Sequence, residues 1–270
     1  VTPRQIISCP DRRIGRRVLV FDTVTSTNDL AAALGPDEDG TAVVALDQTA
    51  GRGQYGRTWV SRPGDSLLMS VLLHPPPELA RPVVLVALAA VAVADAVHAQ
   101  TGTYPRIKWP NDLLIGRRKV CGVLIEQSAV GGRSVVIVGV GLNLNPSDAD
   151  LREAGLPDAT SLAAVTGNRF DPVDAASVVL GRLNEEYARL LAGDRLPLEA
   201  RWVERLELVG RTVRAGCHDD TELCGLIQGL SFERLTLATE QRVRTIAPER
   251  VRSIAPVSPR GGVLGAEGET

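Results

Sequence analysis

Over its first two hundred residues the chain alternates short apolar runs with amphipathic stretches. The segments 16–24 (RRVLVFDTV), 41–48 (TAVVALDQ), 65–73 (DSLLMSVLL), 113–127 (LLIGRRKVCGVLIEQ) and 134–145 (SVVIVGVGLNLN) have the composition of strands. Gly-Gly-Arg at 131–133 fits a hairpin turn joining the last two. Helices are predicted at 28–34, entered through Ser26 or Thr27 as a cap, at about 82–100, and at 172–192, where Pro172 suits a first turn. This is the pattern of an α+β domain, a mixed β-sheet flanked by helices.

Beyond about Leu206 the texture changes. GRTVRAG, TELCGLIQGLS, RLTLAT and QRVRTIAP are short strands separated by Gly, Asp and Ser turns, which predicts a small C-terminal β-barrel. The expected organisation is an N-terminal extension at 1–15, a main domain at 16–205, the barrel at 206–256 and a disordered tail at 257–270. No internal repeat interrupts it.

A length of 270 residues allows a large core, and 44% hydrophobic and 23% charged residues suit a globular protein. A formal net charge of −2 gives no general attraction to nucleic acid or to an anionic membrane, so any basic function is local. The apolar run PVVLVALAAVAVA at 82–94 is read as too short to cross a bilayer and as a buried helix, ending at Asp95. The opening VTPRQIISCPDRRIGRR has no continuous apolar region, so no export signal is expected. Cys9, Cys121, Cys217 and Cys224 include no C-x-x-C pair; neither a zinc site nor a disulfide framework is expected, and the cytoplasm is the expected setting.

Four local clusters carry candidate chemistry. GRGQYGRTW at 51–59 combines glycines, which let backbone N–H groups approach an anion, with arginines that offer a planar fork to phosphate. It matches neither the Walker nor the dinucleotide pattern, and an exposed basic turn accounts for it equally well. TSTND at 25–29 supplies hydroxyls and an amide, as a pocket for a neutral polar group or simply as a helix cap. In KWPND at 108–112, Asp112 precedes Lys119 by seven residues. If 113–115 pair with 119–125, the acid and the base lie at neighbouring strand ends, an arrangement suited to proton handling or phosphate stabilisation, with a capping role for Asp112 as the alternative. Gly122, Gly139 and Gly141 lie inside strands, which marks bulges or a ligand against the backbone, with the amides of Asn143 and Asn145 beside them.

Taken in order, TSTN, QTAGRGQYGRTW, KWPND, RKVCGVLIE and GVGLNLN resemble the biotin protein ligase family, over residues 17–255. The resemblance implies a class II synthetase-like catalytic domain and a Src-homology-3-like barrel. It implies that ATP, with Mg²⁺, activates biotin to biotinyl-adenylate, and that biotin then passes to a lysine of the biotin carboxyl carrier domain of an acyl-CoA carboxylase. Carried over motif by motif, Ser26, Thr27, Asn28 and Gln48 would hold the polar end of biotin, with Gly51 and Gln54 also at biotin. Lys119 and Gly122 would meet its carboxylate side. Arg52 and Gly53 would span biotin and the adenylate phosphate, and Arg57 and Trp59 would order the loop over the ligand. Lys108, Asn111, Gly141 and Asn143 would lie at the nucleotide, and Asp112 would orient or deprotonate the acceptor lysine. Lys119, Arg52 and Asp112 are thus the implied catalytic residues, and no metal ligand is implied with certainty.

Two departures matter. Gln54 stands where the family commonly has a second arginine, so a looser hold on the adenylate is expected. Only 25 residues precede Ser26, so a ligase without a DNA-binding repressor domain, and without nucleic acid or membrane partners, is expected. A lipoate or octanoyl ligase or transferase of the same fold, and a non-catalytic biotin-binding sensor, are the competing readings. The sequence leaves the oligomeric state open, a homodimer through exposed strands included.

Overall fold

The computed structural model describes residues 1–257; the rest of the tail expected at 257–270 lies outside the described residues. In chain order the elements are β1 (Gln5–Ser8), β2 (Arg17–Val24), α1 (Thr27–Ala32), β3 (Ala42–Gln48), β4 (Ser66–Leu73), α2 (Pro82–Thr101), β5 (Arg106–Lys108), β6 (Asp112–Ile115), β7 (Arg118–Val130) and β8 (Arg133–Asn143). They continue with α3 (Asp148–Glu153), α4 (Leu162–Thr166), α5 (Pro172–Leu191), α6 (Leu196–Leu206), β9 (Thr212–Cys217), β10 (Glu222–Leu230), β11 (Leu235–Ala238), β12 (Val243–Ile246) and β13 (Val251–Pro256).

The first eight strands form one sheet in the order β1-β2-β3-β4-β8-β7-β6-β5. Strands β2 and β3, joined through α1, run parallel, and the other pairs are antiparallel. Strand alternation sorts the side chains onto two faces. On β8, Val136, Val138, Val140 and Leu142 join the core beneath α2 and α5, while Ile137 joins the smaller cluster beside α1. The residues Gly139, Gly141 and Asn143 share that second face, and α1 covers only part of it.

Helix α2 is apolar all round, with 20 residues and a mean hydropathy of 2.1, and so is long and apolar enough by itself to cross a membrane. The helix expected at about 82–100 is thus found, running from Pro82 to Thr101 past Asp95, where the charge-free run ends. It is nonetheless a core helix: Val91, Ala92, Val93 and Ala94 are fully buried against the sheet and its neighbours. Asp95 is accommodated by Arg201 at 2.8 Å and Arg205 at 2.6 Å, both from α6. That helix is absent from the sequence reading, although Leu198, Trp202 and Leu206 recur at intervals of four and are buried. The strand-like segment 113–127 is a hairpin of β6 and β7, turning at Gly116, so the conditional pairing of 113–115 with 119–125 is realised.

The C-terminal strands form a separate antiparallel sheet in the order β12-β11-β10-β9-β13. The closed barrel expected from their spacing is not formed. β12 and β13 end the hydrogen-bonded order on opposite sides, and a bulge in β10 between Ile227 and Gly229 bends the ladder without joining the edges. The sheet docks on the main body through aromatic packing. Trp109 donates its indole N–H to the Val251 carbonyl at 2.9 Å, and the Trp109, Trp202 and Phe232 rings pack in series, tilted to one another, with centroids 5.8 and 5.4 Å apart. Arg81 adds hydrogen bonds to Glu249 at 2.8 Å and to the Phe232 carbonyl at 2.7 Å.

Candidate active site

Five residues stand directly opposite one another across five strands: Leu68, Gly141, Gly122, Asp112 and Lys108, on β4, β8, β7, β6 and β5. They lie in the wall of a cavity of about 810 Å³ on the sheet face that α1 leaves uncovered. The two glycines give the indole of Trp59 room to lie on the sheet: a Cβ on Gly141 would stand 2.7 Å from its Cε2, and one on Gly122 would stand 3.2 Å from its Cζ3. Gly139 makes the same room for Asn28, whose Oδ1 would be 2.5 Å from an added Cβ. The interior strand glycines therefore do mark close approach, but by the protein's own side chains.

Lys119 reaches this face because β7 is bulged. Leu113 pairs with Cys121 and Leu114 with Lys119, which leaves Val120 without an opposite residue. Val120 and Cys121 are consequently both buried in the core beneath the sheet, and Lys119 points to the same side as Gly122. Its Nζ lies 2.7 Å from Asp112 Oδ1 and 5.7 Å from the Trp59 ring centre. The hairpin expected from the sequence thus brings acid and base together. Burial pushes the Cys121 thiol well above its ordinary range, with the nearby Lys119 charge pulling the other way, so this cysteine is an inert packing group.

A hydrogen-bonded chain fixes the polar end of the cavity. Ser26 occupies the cap position of α1 but makes no capping bond; instead the Thr27 backbone N–H donates to Gln48 Oε1 at 2.7 Å. That bond fixes the amide orientation and leaves Gln48 Nε2 as a donor. Ser70, fully buried on β4, lies 2.5 Å from Asn28 Oδ1 and 2.7 Å from Thr27 Oγ1. The amide oxygen can only accept, so the single Ser70 proton goes to Asn28, and the Thr27 hydroxyl is left to donate to Ser70 or to Gln48. Asn28 Nδ2 then donates to Glu126 at 2.6 Å. Both ends of the Asn28 amide are thereby committed to the protein.

Glu126 also holds Arg52, at 3.2 Å, and Asp29 holds the same guanidinium at 2.7 Å. The Asp29 hydrogen bond is the main influence raising the Arg52 pKa above its already high ordinary value, opposed by burial and reinforced by the charge of Glu126. The loop around Arg52 is closed by its own backbone bonds. Gly53 N–H donates to the Arg57 carbonyl at 2.7 Å and Trp59 N–H to the Gly51 carbonyl at 3.0 Å. Gln54, Tyr55 and Gly56 form the tip, with Tyr55 in the left-handed region at φ 57°.

Ser26, Thr27, Asn28, Gln48, Arg52, Gly53, Gln54, Arg57, Trp59, Lys108, Asn111, Asp112, Lys119, Gly122, Gly141 and Asn143 all line this one cavity. Gly51 does not; it is buried beside the cavity, where a Cβ would stand 2.7 Å from the Trp59 carbonyl oxygen. Asn145 is also elsewhere, spending its amide on Gly64 and Phe170. Asn111 donates to the Val123 carbonyl and Asn143 to the Thr160 carbonyl, so each keeps its side-chain oxygen and one amide hydrogen uncommitted. Five basic side chains (Arg52, Arg57, Lys108, Lys119 and Arg252) and one carboxylate, Asp112, line the cavity. Among the described residues no group of three His, Cys, Asp or Glu could hold a metal ion.

A family model for the biotin/lipoate A/B protein ligase family matches residues 20–143. The bifunctional ligase/repressor BirA of Bacillus spizizenii is 32% identical over 237 residues, covering 86% of this chain and 73% of that protein. The chain belongs to the biotin protein ligase family. The biotin–[acetyl-CoA-carboxylase] ligase of Paracoccus denitrificans is 37% identical over 190 residues, 68% of this chain and 72% of that protein. Among solved structures, the biotin protein ligase from Aquifex aeolicus in complex with biotin and ATP is 28% identical, with a TM-score of 0.75 over 88% of this chain and 98% of that one.

In this biotin ligase fold, sequence reading missed two groups at the site. Ser70 sits in the apolar run SLLMSVLL, where nothing distinguishes it from a strand-interior serine. Arg252 comes from β13 of the C-terminal sheet and lines the cavity with Ser253. Only the docking of the two units makes it a neighbour of the site.

Proposed function

We propose that the chain is an ATP-dependent biotin protein ligase, which forms biotinyl-adenylate and then transfers biotin to a lysine of a biotin carboxyl carrier domain. The observation that carries this reading is the charge balance of the cavity. A chain of net charge −2 lines the cavity with five cations and one carboxylate beside a hydrogen-bonding pocket, and the lining keeps an excess of positive charge even with Arg52 paired to Asp29 and Glu126. Such a site suits a ligand with an uncharged polar head and an anionic end that must meet a polyphosphate.

In the first half-reaction the biotin carboxylate forms a bond to the α-phosphorus of ATP, and pyrophosphate leaves. Two anions approach each other in this step, and fixed cations stabilise the charge that develops. Lys119, Arg52 and Arg57 are assigned to this role, with Lys108 and Arg252 at the polyphosphate. Magnesium enters as part of the substrate MgATP. Ser26, the Thr27 hydroxyl and Gln48 Nε2 are assigned to the polar head of biotin, and Asn28 to holding Glu126 and the floor of that pocket. Asn111 and Asn143 offer their oxygens at the nucleotide.

In the second half-reaction the acceptor amine forms a C–N bond to the acyl carbon while AMP leaves. A free lysine, with a pKa of about 10.4, is almost wholly protonated at neutral pH and must first lose a proton. Asp112 Oδ1 is engaged by Lys119, and Asp112 Oδ2 is assigned to receive or orient that amine. We assign residues 16–205 to a class II synthetase-like catalytic unit and 206–256 to a Src-homology-3-like unit that brings Arg252 to the site. The cytoplasm is the proposed location. Exchange of labelled pyrophosphate into ATP tests the first step: exchange that depends on biotin supports the reading, and exchange driven by lipoate or octanoate but not by biotin contradicts it.

A further inference from the structure

Glu126 stands on β7 just beyond the cavity. Strand alternation puts it on the same face as Gly122 and Leu124, which line the cavity, and its register partner on β8 is Ile137, in the cluster beside α1. It therefore sits where the open part of the sheet face gives way to the part that α1 covers. Two donors from different sides of the site meet on its carboxylate. Oε2 accepts from Asn28 Nδ2 at 2.6 Å, and Arg52 Nη2 lies 3.2 Å from Oε1 and 3.3 Å from Oε2.

Two features separate this contact from an ordinary ion pair. Arg52 already has a carboxylate at 2.7 Å from Nη1, that of Asp29, so charge balance does not call for a second. Asn28 is buried and its oxygen is fixed by Ser70, so Glu126 is what holds the other end of that amide. An ionised carboxylate accepts at both oxygens, whereas a glutamine would keep one acceptor and turn an NH2 toward the remaining donor. With side chains 40% and 39% exposed, the Arg52–Glu126 pair is screened by water and adds little to stability, so its consequence falls on geometry. We propose that Glu126, which does not itself line the cavity, is a positioning residue for both substrates: through Asn28 it fixes the floor of the polar-head pocket, and through Arg52 it aims the guanidinium at the anions that meet in adenylate formation. This rests on the proposed ligase reading. Arg52 keeps Nε and the remaining hydrogens of its terminal nitrogens for that task. Asp29 is bonded to Arg52 and lies outside the chain from Ser70 through Asn28 to Glu126, so it isolates the second role from the first.

The test measures biotin-dependent pyrophosphate exchange by the full chain, with the Tm as a check on folding, for Glu126→Ala, Glu126→Gln and Asp29→Asn. Glu126→Ala should raise the biotin KM and lower kcat for exchange, each about tenfold, the scale of one hydrogen bond to a charged group. Glu126→Gln, whose oxygen still accepts from Asn28, should lower kcat by a similar factor and keep the biotin KM within about threefold. Asp29→Asn should lower kcat and leave the biotin KM unchanged. All three should keep a Tm close to that of the wild type. Wild-type KM and kcat in Glu126→Ala overturn the inference alone, as does a raised kcat in Glu126→Gln, which would make the carboxylate a restraint on Arg52. So does a Glu126→Ala defect that accompanies a lost Tm while Glu126→Gln matches the wild type in both parameters. Wild-type exchange that is absent, or driven by lipoate or octanoate but not by biotin, overturns the ligase reading itself, and this inference with it.

Discussion

Lys119 Nζ meets Asp112 Oδ1 at 2.7 Å, and it does so because Val120 is a bulge. In a regular strand, with Val120 paired like its neighbours, alternation would turn Lys119 into the core with Cys121 and leave the cavity without this cation. Lys119→Ala should therefore reduce biotin-dependent pyrophosphate exchange by roughly 10²–10³, the usual cost of removing one preorganised electrostatic contact. Asp112→Asn should leave exchange within a few-fold and slow transfer to the carrier. Equal losses in both steps for Asp112→Asn would contradict the division of roles.

Ser70 touches no cavity space yet binds both Thr27 and Asn28. Ser70→Ala strands a buried amide oxygen and loosens the pocket, at a cost of about 1–3 kcal/mol. The expected result is a biotin KM raised roughly 5- to 100-fold on that energy scale, with the KM for ATP and kcat little changed. An unchanged biotin KM would show that Gln48 alone sets the pocket.

Gly141 supports Trp59 by lacking a side chain. Gly141→Ala would place a Cβ at 2.7 Å from the indole, a distance that forces the ring to move. The prediction is a red-shifted tryptophan emission from an indole pushed toward water, together with weakened adenylate binding, while Trp109 and Trp202 remain buried reporters of the fold. Emission and binding identical to the wild type would contradict the packing described here.

Asp65 has a raised pKa, first through burial and second through the charge of Asp150. A carboxyl raised in the folded state costs stability once ionised: the penalty is absent below the unfolded pKa of 3.8 and is fully present above the raised value. Asp65→Asn should accordingly raise the Tm at neutral pH, with the gain disappearing as the pH falls below that of the free carboxyl. A gain that persists or grows in acid would reverse the sign of this account.

The strands and long helices were legible because their burial is written as alternation or as a continuous apolar run. β4, β8, α2 and α5 are of this kind. β1 and β5 were not legible, being four and three residues long and at the two edges of the sheet, with little burial pattern to leave. The cavity residues were legible mainly through order and resemblance, since no single cluster named its ligand. Three features had no signal in the sequence: the bulge that turns Lys119, the buried Ser70 beneath the polar pocket, and Arg252, which reaches the site from another sheet. Each depends on register or docking, and neither is encoded in local composition.

The most direct test of the central claim is the intact mass of a biotin carboxyl carrier domain after incubation with this chain, biotin and MgATP. The account predicts a mass increase of one biotinyl group on a single lysine, dependent on both substrates and lost with Lys119→Ala. A carrier of unchanged mass, from a protein that still binds biotin, would contradict it and identify the chain as a binding protein without transfer activity.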